Sequence, residues 1–291
     1  MRNFFFFLVI VTSAACSKKE PQESTTDIFL PGKQLAQIRH KKLLEVSGLA
    51  ASANNPRMLW ALNDSGNAAE VFLVDEQLNI HVTIKLKGLK NRDWEDIAVG
   101  PGPVEGKNYL YVGEIGDNMA AFQYKYVYRF EEPVQAQAAN IVIEKFDTIT
   151  FQLPDGKKDT ESLMIHPKTK NLYVISKREQ PVYVYELSYP YSTNDTITAT
   201  KLLAIPFTQI VAGDFSADGE ELLIKSYRNT YYWNIGSRNL KEALKDQPLI
   251  VQYKEEPQGE SITFSRDGKG FYTLSELVKG EKSYLYYYPR K

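Results

Sequence analysis

The chain has 291 residues, with 35 basic against 36 acidic side chains and a net charge of −1. A hydrophobic content of 43% excludes wholesale disorder, and a pI near 6.4 lacks the basic field that nucleic-acid binders use, so no nucleic-acid partner is expected. A single cysteine excludes a disulfide framework or a thiolate zinc site, three histidines leave little for a histidine metal centre, and 19 tyrosines point to strands.

At the start, Arg2 precedes an apolar run over residues 4–11, and the small residues Ser13, Ala14 and Ala15 stand directly before Cys16. That order reads as a secretory signal, because the run is far shorter than the roughly 18 residues a membrane span needs. With the only cysteine placed just after the small residues, the segment resembles a bacterial lipoprotein signal. The resemblance implies lipidation of Cys16, attachment to a membrane through it, and a place in the bacterial cell envelope, on the outer membrane or cell surface. Residues 1–15 are then the signal, 16–31 a lipidated cysteine with a polar tether, and 32–291 the folded domain.

The domain repeats. Glu161-Ser162-Leu163-Met164-Ile165, Glu260-Ser261-Ile262-Thr263-Phe264 and Val211-Ala212-Gly213-Asp214-Phe215 align without gaps. Each is followed by a turn and a second apolar run, the pattern of a β-hairpin. Two more copies, beginning at Ser47 and Glu95, fit with longer turns. Third strands are expected at 71–74, 124–130, 182–187, 231–235 and 284–288, and fourth strands at 82–86, 148–153, 201–205 and 249–253. The fifth copy runs out of chain after three strands, while residues 34–39 form a strand ahead of the first copy. A repeat of about 49 residues suits a four-stranded unit. The reading is an all-β fold, a five-bladed β-propeller of four-stranded antiparallel blades whose last blade is closed by the N-terminal strand. The longer interval between the second and third copies is an insertion, not a sixth blade. A monomer is expected.

In a propeller the first strand of each blade lines the axis, and side chains two apart point the same way. The starts of the five first strands pair Glu45 with Ser47, Asp93 with Glu95, Asp159 with Glu161, Gln209 with Val211, and Gln258 with Glu260. The ends of the second strands add Asn63 and Asp64, Glu114, Asp117 and Asn118, Lys177 and Arg178, Lys225 and Arg228, and Glu276. One mouth of the channel should therefore carry a partial ring of carboxylates faced by a basic patch. Oxygen-only ligands with almost no histidine or cysteine favour Ca²⁺ over zinc. The candidate metal ligands are Glu45, Asp93, Glu95, Glu114, Asp159, Glu161 and Glu260. The candidate contacts for a small polar or anionic ligand are Asn63, Asp64, Asp117, Asn118, Lys177, Arg178, Lys225, Arg228 and Glu276. Solvated strand ends paired to nearby bases would give the same pattern without any ligand.

The strings Val46-Ser47-Gly48-Leu49, Leu59-Trp60-Ala61-Leu62-Asn63-Asp64-Ser65-Gly66, Asp93-Trp94-Glu95-Asp96-Ile97-Ala98 and Gly113-Glu114-Ile115-Gly116-Asp117-Asn118 resemble those of bacterial secreted propellers of the SdiA-regulated and phytase-esterase-like type. The resemblance spans most of residues 43–290. It implies an extracytoplasmic propeller, in some relatives calcium-bound. The Asp-Asp-Pro-Ala string of true β-propeller phytases does not occur here.

Walker, Rossmann, Gly-x-Ser-x-Gly and His-Glu-x-x-His strings do not occur either. Three functions fit the sequence. The first is a lipid-anchored propeller binding Ca²⁺ or a small polar ligand at the acidic mouth. The second is a hydrolase, either a calcium-assisted phosphoesterase or a carboxylate glycosidase drawing on Glu95, Glu161 and Glu260. The third is a protein-interaction scaffold.

Overall fold

Five antiparallel sheets stand around one axis in the computed structural model, which describes residues 25–26, 28–134 and 139–291. The signal segment and Cys16 lie outside the described residues. Blade 1 runs Val46–Ala51, Leu59–Asn63, Glu70–Val74 and Ile80–Leu86, from the axis outward. Blade 2 runs Trp94–Pro101, Asn108–Glu114, Lys125–Glu131 and Asp147–Gln152, and blade 3 runs Thr160–Ile165, Leu172–Ser176, Val182–Leu187 and Thr200–Ile205. Blade 4 is built from Ile210–Phe215, Glu221–Ser226, Thr230–Asn234 and Leu249–Val251. Blade 5 supplies Ser261–Phe264, Gly270–Leu274 and Tyr284–Pro289, and its fourth strand is Lys33–Gln37 from the N-terminal side, antiparallel to Tyr284–Pro289. The innermost strand of each blade lies against that of the next, and Ser261–Phe264 closes on Val46–Ala51. The five-bladed architecture read from the repeat is the one observed.

Both faces of every blade are covered, so a middle strand is buried on both faces rather than on alternate positions: Leu172–Ser176 is buried at every position. The core is five wedges, one per blade interface. Between blades 1 and 2, for example, Trp60, Leu73 and Ile84 meet Trp94, Leu110 and Phe130. The blades approach so closely that a Cβ on Gly48 would lie 2.9 Å from the Asp96 Cα in the next blade, which is why glycine stands there.

Buried polar side chains fasten neighbouring blades. Asp96 accepts from the Leu163 N–H of blade 3 at 3.0 Å, and Asp214 accepts from the Phe264 N–H of blade 5 at 2.9 Å. Thr263 accepts from the Ala51 N–H of blade 1 at 3.0 Å. Glu132 of blade 2 accepts four bonds from blade 1: from Ser52 Oγ, the backbone N–H groups of Ala53 and Asn54, and the Trp60 indole.

The insertion in the second copy forms a strand of its own. Asn140–Ile143 adds to the outer edge of blade 1, parallel to Ile80–Leu86. Ile197–Thr198 likewise adds in parallel to the outer strand of blade 2, and Thr25–Thr26 to that of blade 4. Each added strand is the stretch just ahead of the next blade's outer strand. The sequence reading assigned none of them, because two to four residues are too few to show a period.

Glu132→Ala strips four donors of their acceptor in a buried site. The expected cost is about 3 kcal/mol of unfolding free energy, read from urea titration. A cost under about 1 kcal/mol would mean that the wedges alone hold blades 1 and 2 together.

Candidate functional site

The inner strands of blades 1 to 4 each carry a β-bulge at the same place, with the register shifting across Val46/Gly48, Trp94/Asp96, Thr160/Ser162 and Ile210/Ala212. The extra residues are Ser47, Glu95, Glu161 and Val211. A bulge bends its strand and re-aims a side chain, and at blades 2 and 3 it turns a glutamate into the mouth. Glu260 enters from the residue before the blade 5 inner strand, and Asp64 from the residue after Leu59–Asn63.

These residues converge on a cleft of about 530 Å³ at one end of the axis, lined among others by Asp64, Glu95, Glu161, Lys177, Tyr227 and Glu260. Around Ala50, Val99, Ile165, Phe215 and Phe264, further along the axis, the free space is only about 20 Å³. Two carboxylate triads form in the mouth: Asp64, Asp93 and Glu95, and Glu95, Asp159 and Glu161. Within each triad one oxygen per residue lies within 4.8 Å of the others, and Glu95 belongs to both. A side chain at position 116 would block this arrangement, since a Cβ on Gly116 would stand 2.0 Å from Glu95 Oε1 and 2.6 Å from Asp93 Oδ2.

The two triads are not equivalent. The second is neutralised from within the protein: Lys177 Nζ pairs with Glu161 and lies 3.8 Å from Glu260, while Arg178 Nε donates to Asp159 Oδ2 at 2.7 Å. The Asp117 N–H also donates to Asp159, at 2.8 Å. The first triad has no ion pair among the described residues. Asp64 accepts from the adjacent Ser65 N–H and hydroxyl, the Ser65 hydroxyl also reaches Asp93, and Lys125 and Arg92 act on Asp93 from a distance. Asn91 holds the backbone there, donating to the carbonyls of Asn63 and Asp64 at 2.9 and 2.8 Å.

Glu95 is the least compensated group. It is 4% exposed, and no hydrogen-bond donor reaches its carboxylate among the described residues. Burial first, then Glu161, Asp64, Asp93 and Glu260, hold its carboxyl well above the usual range. Burial raises Asp64 to about 6 and lifts Asp93 as well, the latter with help from Asp159. Glu161 is raised by burial against the opposing pull of Lys177. Two full charges at 4.8 Å repel by about 3.5 kcal/mol at an effective dielectric of about 20. A triad without an internal cation therefore keeps a proton or takes a cation from solution.

The other candidates fall in different places. Glu276 is hydrogen-bonded to Glu260 and pushed up to about 9 by burial and by that neighbour. Glu45 is exposed on the rim and accepts from Asn67 at 2.5 Å, outside both triads. Glu114 pairs with Arg92 at 3.6 Å, also outside them. Asn63 donates to the Lys42 carbonyl at 2.8 Å and leaves its Oδ1 buried without a partner. Asp117 accepts from the N–H groups of Ala121 and Phe122, ordering the loop that presents Asn118 to the cleft, where Asn118 accepts from Arg178.

The expected basic patch does not face the carboxylates as a free surface. Lys177 and Arg178 are taken up in ion pairs, and Arg228 lies in a neighbouring cleft beside Gln209 and Tyr231. Lys225 is fully buried, donates to the Gly259 carbonyl and is lowered to about 8 by burial. The mouth is consequently net acidic and suits a cation.

Sequence reasoning passed over Tyr227, which donates to Glu260 at 2.5 Å, and Glu255 and Glu256, which line the wall. The acidic pair directly before Pro257 was a visible signal for the last two; Tyr227 had none.

Searches of protein-family models and of curated proteins give no match. Among solved structures, the chain is similar to the Pan2 WD40 domain of Neurospora crassa at 10% identity, with 93% of this chain and 98% of that one covered and a TM-score of 0.47. It is similar to the RRP9 WD40 repeats at 11% identity, 84% and 80% coverage and a TM-score of 0.44, and to a chain of a nidogen/laminin complex at 12%, 79% and 72%, and 0.46. These likenesses concern the fold alone.

The raised carboxyls set a pH dependence. A carboxyl whose folded pKa exceeds its unfolded value keeps a proton that the unfolded chain has released, so its contribution is present at low pH and lost as pH rises to the folded pKa. For Asp64 that window runs from 3.8 to about 6, and for Glu276 from 4.5 to about 9. In chelator, stability by urea titration should fall from about pH 5 to about pH 8, and Glu276→Gln should flatten the fall. A rise over that range would show that the acids are compensated in the metal-free protein.

Proposed function

We propose that the protein is an envelope-anchored propeller that binds a hard divalent cation, Ca²⁺ in the first place, at Asp64, Asp93 and Glu95. The observation that carries this reading is Glu95, a buried carboxylate without a donor, shared by two triads of which only one is neutralised by the protein's own bases. The donors are all oxygens, Asn63 and Asn118 stand close by, and a carboxylate set with room for water suits Ca²⁺ better than a thiolate- or imidazole-seeking metal. A small polar ligand would reach such a cation from the open side of the cleft.

Lipidation of Cys16 is part of the proposal and rests on the order of residues 1–16.

Turnover is a second reading, favoured by one observation: Glu276 is hydrogen-bonded to Glu260, which lines the cleft, and burial with that neighbour pushes its carboxyl up to about 9, as suits a general acid. Hydrolysis of chromogenic phosphoesters or glycosides that Glu276→Gln abolishes would support it; no turnover with either class would leave the protein a binder.

The binding proposal is tested by thermal unfolding in chelator and then in Ca²⁺. A site held at about one hundred times Kd gains about 2.7 kcal/mol, a shift of several degrees. Glu95→Gln should remove that shift while raising the melting point in chelator, because it deletes an uncompensated buried charge. An undiminished shift in Glu95→Gln would place any cation elsewhere.

A further inference from the structure

The three added strands show how this molecule finishes a blade edge. On blade 1, Asn140–Ile143 pairs in parallel and sends Ile141 and Ile143 into the wedge with Tyr128 and Phe130. On blade 2, Ile197 enters the next wedge beside Tyr185 and Leu187. Blade 3 should receive the stretch ahead of Leu249–Val251, but there the chain forms a helix, Leu240–Ala243, and a turn over 244–248, and packs Leu240, Ala243 and Leu244 into the wedge between blades 3 and 4. It is held as a helix by the Asn239 cap, by the ion pair of Arg238 with Asp246 at 2.5 Å, and by the Trp233 indole donating to the Asp246 carbonyl at 3.0 Å. The outer edge Thr200–Ile205 therefore has no strand beside it among the described residues. Next to that edge a cleft of about 380 Å³ stays open, walled by Leu203, Phe207, Trp233, Leu244 and Pro248.

We infer that the outer edge of blade 3 is a docking site for an extended peptide from a partner protein, which joins the sheet as a parallel fifth strand. Main-chain groups along Thr200–Ile205 supply the ladder, and the cleft takes alternate side chains, as strand addition at a sheet edge requires. The occupant is uncharged with β-branched residues at alternate positions, because the neighbouring charges are already engaged: Lys201 with Asp155, Lys245 with Glu242, and Asp246 with Arg238. This inference does not depend on the cation site.

The test uses the whole domain and a capped peptide, Ser-Ala-Asn-Ile-Val-Ile-Ser, which copies the strand that the chain lays on blade 1. At about ten times Kd, amides within Thr200–Ile205 should exchange about tenfold more slowly. The same peptide N-methylated at alternate residues should give no protection, and Leu203→Lys should abolish protection while leaving the melting point within a few degrees. Protection confined to Ile80–Leu86 would mean that the peptide exchanges with the chain's own strand and would overturn the assignment. So would absence of protection, or equal protection by the N-methylated peptide. A dimer protecting the same amides without peptide would make a second copy the occupant and equally overturn it.

Discussion

Closing five blades on one axis forces the starts of their inner strands within side-chain reach of one another. Residues at those starts cannot move apart without opening the ring, and the ring is held by five apolar wedges and by the pairing of Lys33–Gln37 with Tyr284–Pro289. Whatever charge the sequence places there must be compensated on the spot. Here the sequence places mostly acid, and the chemistry of the mouth follows from how unevenly that acid is compensated.

Compensation is local and directional. Blade 3 brings its own bases: Lys177 and Arg178, at the end of its second strand, reach back to Glu161 and Asp159 at the start of its first. Blade 2 has Lys125 in the corresponding region, but its ammonium donates to the Ile115 carbonyl at 2.5 Å and burial lowers it to about 8. Blade 1 contributes Asp64 and no base. The deficit therefore lies between blades 1 and 2, at Asp64, Asp93 and Glu95. A buried ion pair deprived of one partner is strongly unfavourable, and the first triad has that character until a cation completes it.

Much of this was legible in the residues. The repeat, the blade number and the closing strand follow from aligned copies and from a last copy that ends one strand short. The acidic columns follow from period-two counting at the strand starts. What counting could not show is the bulge that turns Glu95 and Glu161 toward the axis, because an extra residue in one strand appears only against its partner's register. Nor could it show that Lys177 and Arg178 are engaged rather than free, that Lys225 is buried behind the wall, or that Glu114 turns to Arg92. Those are outcomes of side-chain reach between blades. The added parallel strands were hidden for a similar reason: Asn140–Ile143 and Ile197–Thr198 are short, and each belongs by sequence to one blade and by pairing to another.

The central claim is that the uncompensated triad is the cation site. Anomalous scattering from crystals of the domain soaked in a terbium salt, a heavy stand-in for Ca²⁺, tests it most directly. A single strong peak bounded by Asp64, Asp93 and Glu95 is the expected result. A peak on Asp159 and Glu161 with Lys177 and Arg178 displaced, or an empty mouth beside occupied surface sites, would contradict it.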